Sequence, residues 1–330
     1  MNMRTMHNVA VFGAAGYAGL ELVKLLSVHP EAKLVCAASD MRAGSPIDEP
    51  AGMRTTSLFV TTQVALSTKA DIALLATPPE AAVDLTPRLL AAGTRVIDLS
   101  HAHRADARAV YGLASLFGAD VAGAVLVANP GCYATGIITA LAPAVRGELI
   151  EREVVVVAGS GVTGAGRSAD EAMSLGEMYG EVRAYKVLKH PHVPEIEAAL
   201  GRLATAADKP RIVLTTHLLP VARGIFATIT ARLRKPSSTE ALTERYRAEY
   251  ASDRSVVIAA SADRVSLRKV VGTNACMIGI ASEGTAGGFV VITVALDNLL
   301  KGAAGQAIEN MNAMLGLDRS TGLAHLARHV

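Results

Sequence analysis

The chain of 330 residues exceeds the usual domain of roughly 100 to 200 residues, so two lobes are expected. Hydrophobic residues make up 51% and charged residues 19%, with no low-complexity tract or repeat period, which excludes a disordered, fibrous or solenoid chain. The 32 basic and 30 acidic residues are interspersed and leave a net charge of +2, so the basic face of a nucleic-acid binder is missing. Cys36, Cys132 and Cys276 are too few for a disulfide framework and point to a reducing compartment. The apolar stretch from Val9 to Leu26 is broken by Glu21 and Lys24 and does not read as a signal peptide. No other segment reaches the about 18 uncharged apolar residues of a membrane span. A cytoplasmic chain without membrane or nucleic-acid partners is the expectation.

The first 140 residues alternate short apolar runs with helical patterns, the runs being Val9 to Phe12, Lys33 to Ala38, Ile72 to Ala76, Arg95 to Leu99 and Val125 to Ala128. That rhythm predicts parallel strands with crossover helices. Longer β-rich runs follow at Glu153 to Ala158, Arg211 to Thr216, Ile225 to Leu233, Cys276 to Ala281 and Phe289 to Ala295, and predict a mixed or antiparallel sheet. Helices are predicted over Pro236 to Ala251, with Ser237 or Ser238 as N-cap, and over Asp297 to Leu315, where Leu300, Ala304, Ile308, Met311 and Leu315 recur at helical spacing.

Val9-Ala-Val-Phe-Gly13-Ala14-Ala15-Gly16-Tyr17-Ala18-Gly19 is an apolar strand, a glycine turn and a helix start. The three glycines keep the dinucleotide spacing, which serves a tight turn, close backbone approach to pyrophosphate and close helix packing. At the end of the second strand Asp40 stands where an acidic residue accepts from the ribose hydroxyls of NAD. Ser39 and Arg42 beside it are instead suited to the 2′-phosphate of NADP, so both cofactors stay open.

Asn129-Pro130-Gly131-Cys132-Tyr133 joins an apolar strand to a helical pattern and places Cys132 at a helix N-terminus, where peptide dipoles favour a thiolate. A thiolate attacks acyl groups, and its thioester accepts hydride to reach the aldehyde level. Cys36 and Cys276 sit in or beside strands and read as core fillers. In Lys189-His190-Pro191-His192-Val193-Pro194-Glu195, two histidines flank a proline just before a helix that Pro194 initiates. Either histidine is suited to acid/base work, or to a surface or capping role. No further ligands at a suitable spacing make them a zinc site, so no metal is expected.

Ala158-Gly159-Ser160-Gly161-Val162-Thr163-Gly164-Ala165-Gly166-Arg167-Ser168 is too glycine-rich for a strand and reads either as an oxyanion or phosphate cradle or as a loop between domains. Arg104 and Arg223 in loops after strands read as carboxylate or phosphate clamps, or as ordinary surface arginines.

On these motifs, together with Ala184-Tyr-Lys, Arg223-Gly-Ile and Asp297-Asn-Leu-Leu-Lys-Gly-Ala-Ala-Gly305, nearly the whole chain resembles the N-acetyl-γ-glutamyl-phosphate reductase family of arginine biosynthesis. The resemblance implies an α/β fold with a doubly wound, Rossmann-type parallel sheet over residues 1–135, completed by a C-terminal helix within 299–330. It also implies a mixed α+β catalytic and oligomerisation domain over 136–298. It further implies a homodimer or homotetramer, NADPH as hydride donor, Cys132 as nucleophile and His192, ahead of His190, as acid/base. By the same resemblance Asn298 approaches the nicotinamide end of the cofactor, and Arg104 and the loop from Ser160 and Gly161 to Arg167 face a small acyl phosphate, beside the Arg223 read above as a clamp.

The chain departs from the family's Asp-Leu-Ser-Ala-Asp-Phe-Arg with Asp98-Leu-Ser-His101-Ala-His103-Arg104, and from Tyr-Gly-Leu-Pro-Glu-Leu with Tyr111-Gly-Leu-Ala114-Ser115-Leu116. The negative charge lost there leaves two alternatives open: a sister reductase of a lysine/ornithine-type pathway acting on a related acyl phosphate, or one whose substrate is held on an acidic carrier protein. A non-catalytic dinucleotide sensor is the third reading. Aspartate-semialdehyde dehydrogenase shares the reaction type but not these motif spellings.

Overall fold

The computed structural model describes residues 6–47, 57–167, 171–205 and 208–323, which form two compact units. The first takes the described residues up to 131 together with 303–323, and the second takes 132–302. Among the described residues no helix is long and apolar enough to cross a membrane.

In the first unit β1 (His7–Phe12), α1 (Tyr17–Ser27), β2 (Ala32–Ala38), α2 (Thr62–Leu66), β3 (Ile72–Leu75), α3 (Pro79–Ala91), β4 (Arg95–Asp98), β5 (Val110–Tyr111), α4 (Ala114–Ala122) and β6 (Leu126–Ala128) follow in order. Their sheet has the order β2-β1-β3-β4-β6-β5 with every pair parallel. Parallel strands are covered on both faces, which is why β3 and β6 are unbroken buried apolar runs. β1 pairs with β2 on one side and β3 on the other, so the crossovers diverge at its carboxyl end, the place where such sheets bind ligands. The helix Gly305–Met314 packs against α1 and α4, and Asn312 Oδ1 is 3.0 Å from the Nε2 of buried His29.

The second unit holds β7 (Ile150–Gly161), β8 (Arg183–Tyr185), β9 (Arg211–Leu219), β10 (Ile225–Leu233), β11 (Val256–Ile258), β12 (Cys276–Ser282) and β13 (Phe289–Leu296). They form one mixed sheet in the order β11-β12-β13-β10-β7-β9-β8. Helices α5 (Cys132–Arg146), α6 (His192–Gly201) and α7 (Thr239–Glu249) pack on it. α5 is buried at every position from Tyr133 to Val145. Pro143 inside it removes the N–H that would bond the Thr139 carbonyl, and the Tyr250 hydroxyl donates to that carbonyl instead, at 2.6 Å. The Ser238 side chain caps α7 by accepting from Ala241 N–H at 3.2 Å. On the strands, alternate positions such as Val155, Val157 and Phe289 remain exposed.

Three expectations change. The run read as too glycine-rich for a strand begins inside one, because β7 continues through Ala158, Gly159, Ser160 and Gly161, paired with β10 and β9. A Cβ at Gly159 would lie 2.7 Å from Leu219 Cδ1, and one at Gly161 2.7 Å from the Ala222 carbonyl oxygen, so glycine is what lets the neighbouring chain close over the strand. The helix after the histidines begins at His192 rather than Pro194, and Pro194 fits its first turn, where no N–H is needed. The single helix expected over Asp297 to Leu315 is divided into a π-helical turn, Leu300–Ala304, and the helix Gly305–Met314.

Candidate active site

The glycine turn closes at the carboxyl end of β1. Gly13 has φ of 74°, and a Cβ there would lie 2.3 Å from the Ala76 carbonyl oxygen, in the turn after β3. Gly19 packs its helix onto that turn, since a Cβ would lie 2.2 Å from Gly13 O. At Gly16 a Cβ would meet Gly13 O alone, at 3.4 Å, so the second glycine keeps one side clear. Gly16 is the N-cap of α1, and no acidic residue occupies the first turn through Tyr17, Ala18 and Gly19. This cradle, with Ala15 buried beside it, fits a dinucleotide pyrophosphate.

Asp40 is exposed but occupied. Its Oδ1 accepts from Thr62 N–H and its Oδ2 from Thr62 Oγ1, both at 2.7 Å, and these bonds hold its carboxyl below the usual range. It therefore fastens the start of α2 to the end of β2 rather than simply facing solvent. Ser39 and Arg42 stand half-buried on either side of it.

In the second unit Cys132 opens α5 and is half-buried, whereas Cys36 and Cys276 are buried. Tyr133 directs its ring onto the two histidines, with centroids 5.2 Å from His190 and 6.0 Å from His192, and the histidine rings lie 4.6 Å apart. Tyr185 on β8 joins them, 5.9 Å from His190, and its hydroxyl donates to the Tyr133 oxygen at 3.0 Å. Burial raises both phenols above their ordinary value, so they stay protonated. The chain turns from β8 into His190 through Lys186 and Leu188, which carry positive φ of 47° and 57°, a costly conformation for side-chain-bearing residues. His190 is buried, and burial followed by the Lys186 charge lowers its pKa to about 4. Its Nδ1 accepts from the His192 backbone N–H at 3.2 Å, which leaves the proton of the neutral ring on Nε2. His192 is half-buried at the first position of α6.

Around the end of β13 the loops are tied together. Buried Asn298 accepts from Gly224 N–H at 2.7 Å and donates to Thr163 Oγ1 at 3.1 Å. Arg223 donates to Asp297 Oδ1 through Nε at 3.3 Å and Nη2 at 3.1 Å. Ser160 is buried and donates to the Gly161 carbonyl, while Arg167 is exposed; Ser168 lies outside the described residues. Asp297, fully buried, was not singled out by sequence, although an acidic residue at the end of a buried strand was a signal that it must hold several donors.

In the first unit Arg104 donates to the carbonyls of Asn129 at 3.1 Å and Leu99 at 3.2 Å. His103 before it is buried, its Nδ1 2.8 Å from Oδ2 of fully buried Asp98. Of the altered loop residues His101 is exposed, Ala102 and Ser115, where the negative charge is lost, are half-buried, and His103 and Ala114, which replace the apolar Phe and Pro, are buried. Among the described residues no group of three or more His, Cys, Asp or Glu side chains gathers to hold a metal ion.

The sequence matches the family described as semialdehyde dehydrogenase, NAD binding domain, over residues 8–124, and semialdehyde dehydrogenase, dimerisation domain, over residues 132–298. It is 37% identical to the N-acetyl-gamma-glutamyl-phosphate reductase of Bacillus cereus (strain ATCC 10987 / NRS 248) and 36% to that of Bacillus anthracis, each alignment covering 96% of this chain and 98% of the relative. Among solved structures, a probable aspartate-semialdehyde dehydrogenase from Pseudomonas aeruginosa superposes with a TM-score of 0.77 at 22% identity, covering 94% of this chain and 99% of that one. The aspartate semialdehyde dehydrogenase from Candida albicans, solved with NADP, gives 0.70 at 17% identity, with the same coverage. At these identities the structural likeness speaks for the fold.

Proposed function

Because the chain belongs to the N-acetyl-gamma-glutamyl-phosphate reductase family, we propose that it reduces N-acetyl-γ-glutamyl phosphate to N-acetylglutamate 5-semialdehyde, releasing phosphate, with NADPH as donor and a thioester on Cys132. The observation that carries the chemistry is Cys132 itself, the one half-exposed cysteine of three, opening a helix whose next residue packs against the paired histidines.

In this mechanism the Cys132 sulfur attacks the acyl carbon, a carbon–sulfur bond forms and the carbon–oxygen bond to phosphate breaks. The helix N-terminus of α5 favours the thiolate. His192 takes the thiol proton and passes it to the departing phosphate oxygen. A nicotinamide held by the Gly13 to Gly19 turn would supply the hydride that takes the thioester carbonyl to the aldehyde level. As the carbon–sulfur bond breaks, Cys132 leaves as the thiolate that the helix N-terminus favours, and the aldehyde is freed. His190, neutral and fixed, orients His192. The Gly13 to Gly19 turn holds the pyrophosphate, with Ser39 and Arg42 at the 2′-phosphate. The engagement of Asp40 by Thr62 supports NADP(H) over NAD(H), because it turns both carboxylate oxygens toward the start of α2. Ser160, Gly161, Arg167, Arg223 and Arg104 bind the acyl phosphate, and Asn298 lies toward the nicotinamide.

The family match to a dimerisation domain and the exposed Val155, Val157 and Phe289 on the sheet support a homo-oligomer built on this surface. The deciding experiment is the reverse reaction, following NADP reduction with N-acetylglutamate semialdehyde plus phosphate. Phosphate-dependent turnover supports the proposal. Normal cofactor binding without turnover on this aldehyde removes the substrate assignment.

A further inference from the structure

The π-helical turn Leu300–Ala304 interrupts what sequence spacing predicts as one helix, and such turns recur at functional sites. The Gly302 N–H reaches back five residues to the Asp297 carbonyl, at 2.9 Å. Asp297 Oδ1 accepts from the N–H groups of Leu299 at 2.8 Å and Leu300 at 3.2 Å, which ties down the start of the turn. Next along the chain, Lys301 is fully buried and donates from Nζ to Ser255 Oγ at 2.8 Å. That hydroxyl donates in turn to Asp253 Oδ1 at 2.7 Å. A buried lysine is a costly way to fill space, so its tie to a distant loop calls for a reason beyond packing.

The segment so clamped presses Gly302 against the nucleophile. A Cβ at Gly302 would lie 2.9 Å from Cys132 Cβ, 3.1 Å from Leu296 Cδ1 and 3.3 Å from the Asp297 carbonyl oxygen. Cβ and carbonyl positions cannot yield without moving backbone. The turn thus packs so close to the Cys132 Cβ that no side chain fits between them, and a shift of the turn is passed directly to the base of the Cys132 side chain.

We infer that Lys301 and Gly302 are positioning residues for Cys132: the anchored turn restricts the sulfur to the orientation from which it attacks the acyl carbon. This rests on Cys132 being the nucleophile. The test uses the full chain carrying Gly302→Ala or Lys301→Met. The second variant keeps the apolar stem, and Ser255 retains its bond to Asp253, so it folds even if the methyl at position 302 is not accommodated. In both, kcat is expected to fall about 10- to 100-fold while KM for the aldehyde and cofactor affinity stay within about twofold, the signature of misplacement by a fraction of an ångström. Alkylation of Cys132 by iodoacetamide, located by peptide mass spectrometry across pH, is expected to slow alongside. Wild-type alkylation and turnover in Lys301→Met overturn the role of Lys301, and the same result in a folded Gly302→Ala overturns that of Gly302. A rise in KM alone likewise overturns positioning in favour of substrate contact. Undiminished turnover of Cys132→Ser in the same assay instead removes the nucleophile assignment on which the inference stands.

Discussion

The backbone N–H of His192 donates to Nδ1 of His190 across 3.2 Å, so the two histidines have unequal parts. His190 is the acceptor, held neutral with a pKa lowered to about 4 by burial and then by Lys186, and it has no proton to gain near neutrality. In the proposed mechanism His192 is therefore the exchanger. We expect His192→Asn to lower kcat by roughly 10² to 10⁴-fold and to remove one limb of the pH–rate profile. We expect His190→Asn, whose amide oxygen still accepts, to cost less. Should His190→Asn be the more damaging change, the roles within the pair are reversed.

The same burial sets a stability window. The ordinary imidazole value is 6.5, and in the fold it is about 4. Above 6.5 both folded and unfolded chains carry a neutral His190. Between 6.5 and 4 the unfolded chain takes up a proton that the folded one refuses, so this residue lowers stability as pH falls through that window, and the effect levels off below 4. Urea denaturation at pH 7.5 and pH 4.5 is expected to show a smaller acid loss for His190→Asn than for the wild type. Equal losses show that His190 titrates normally in the fold.

Thioester chemistry requires sulfur at position 132. Cys132→Ser is expected to bind cofactor normally and to lose several orders of magnitude in turnover, since an alkoxide is harder to form and its ester resists hydride. Near-normal turnover would remove the covalent mechanism.

For the cofactor, the bonds from Thr62 to Asp40 lead us to expect NADPH preference at limiting concentration. Arg42→Ala is expected to weaken NADPH by about 10-fold, a single charge-assisted phosphate contact, and to leave NADH within about twofold. Asp40→Asn is expected to loosen α2 with little effect on the ratio of the two. A clear NADH preference in the wild type shows that Asp40 serves the ribose hydroxyls.

Much of this was legible in the chain before folding. Five strands of the first unit and the glycine turn follow from buried parallel runs, and β10 matches Ile225 to Leu233 to the residue, because alternation over nine positions leaves little freedom. β5, β8 and β11 span two or three residues, too short for any period to register. β7 was cut short because glycine ordinarily signals a turn, whereas here Gly159 and Gly161 answer to Leu219 and Ala222, neighbours from a distant stretch of sequence. At the site, Cys132 and the histidine pair stood out by residue type. The shared hydrogen bond and the Tyr133 and Tyr185 partners depend on tertiary contacts and left no local signature, whereas Asp297 was marked only by being an acidic residue at the end of a buried strand. The same holds for the π turn, since its i−5 spacing carries almost the same apolar pattern as an α-helix.

His103 gives the last expectation, because two accounts of it diverge. As a surface change, a histidine in this loop alters the approach of an acidic substrate or carrier, so His103→Phe would shift KM and its salt dependence while leaving stability alone. The fold favours the other account. Asp98 is fully buried and accepts from Ser100 N–H and Ser100 Oγ, each at 2.9 Å, with His103 Nδ1 at 2.8 Å as its only ring partner among the described residues. Phenylalanine fills the ring's volume and offers no donor, so a buried carboxylate loses one of three bonds, worth about 1 to 3 kcal/mol. We expect His103→Phe to lower unfolding free energy by that amount in chemical denaturation, with kcat and the salt dependence of KM nearly unchanged. His101→Asp, exposed two residues earlier, is the control that adds negative surface charge to the loop without touching Asp98. If His103→Phe is as stable as the wild type and KM moves with salt, the loop's histidines act on the substrate's approach and not on the fold.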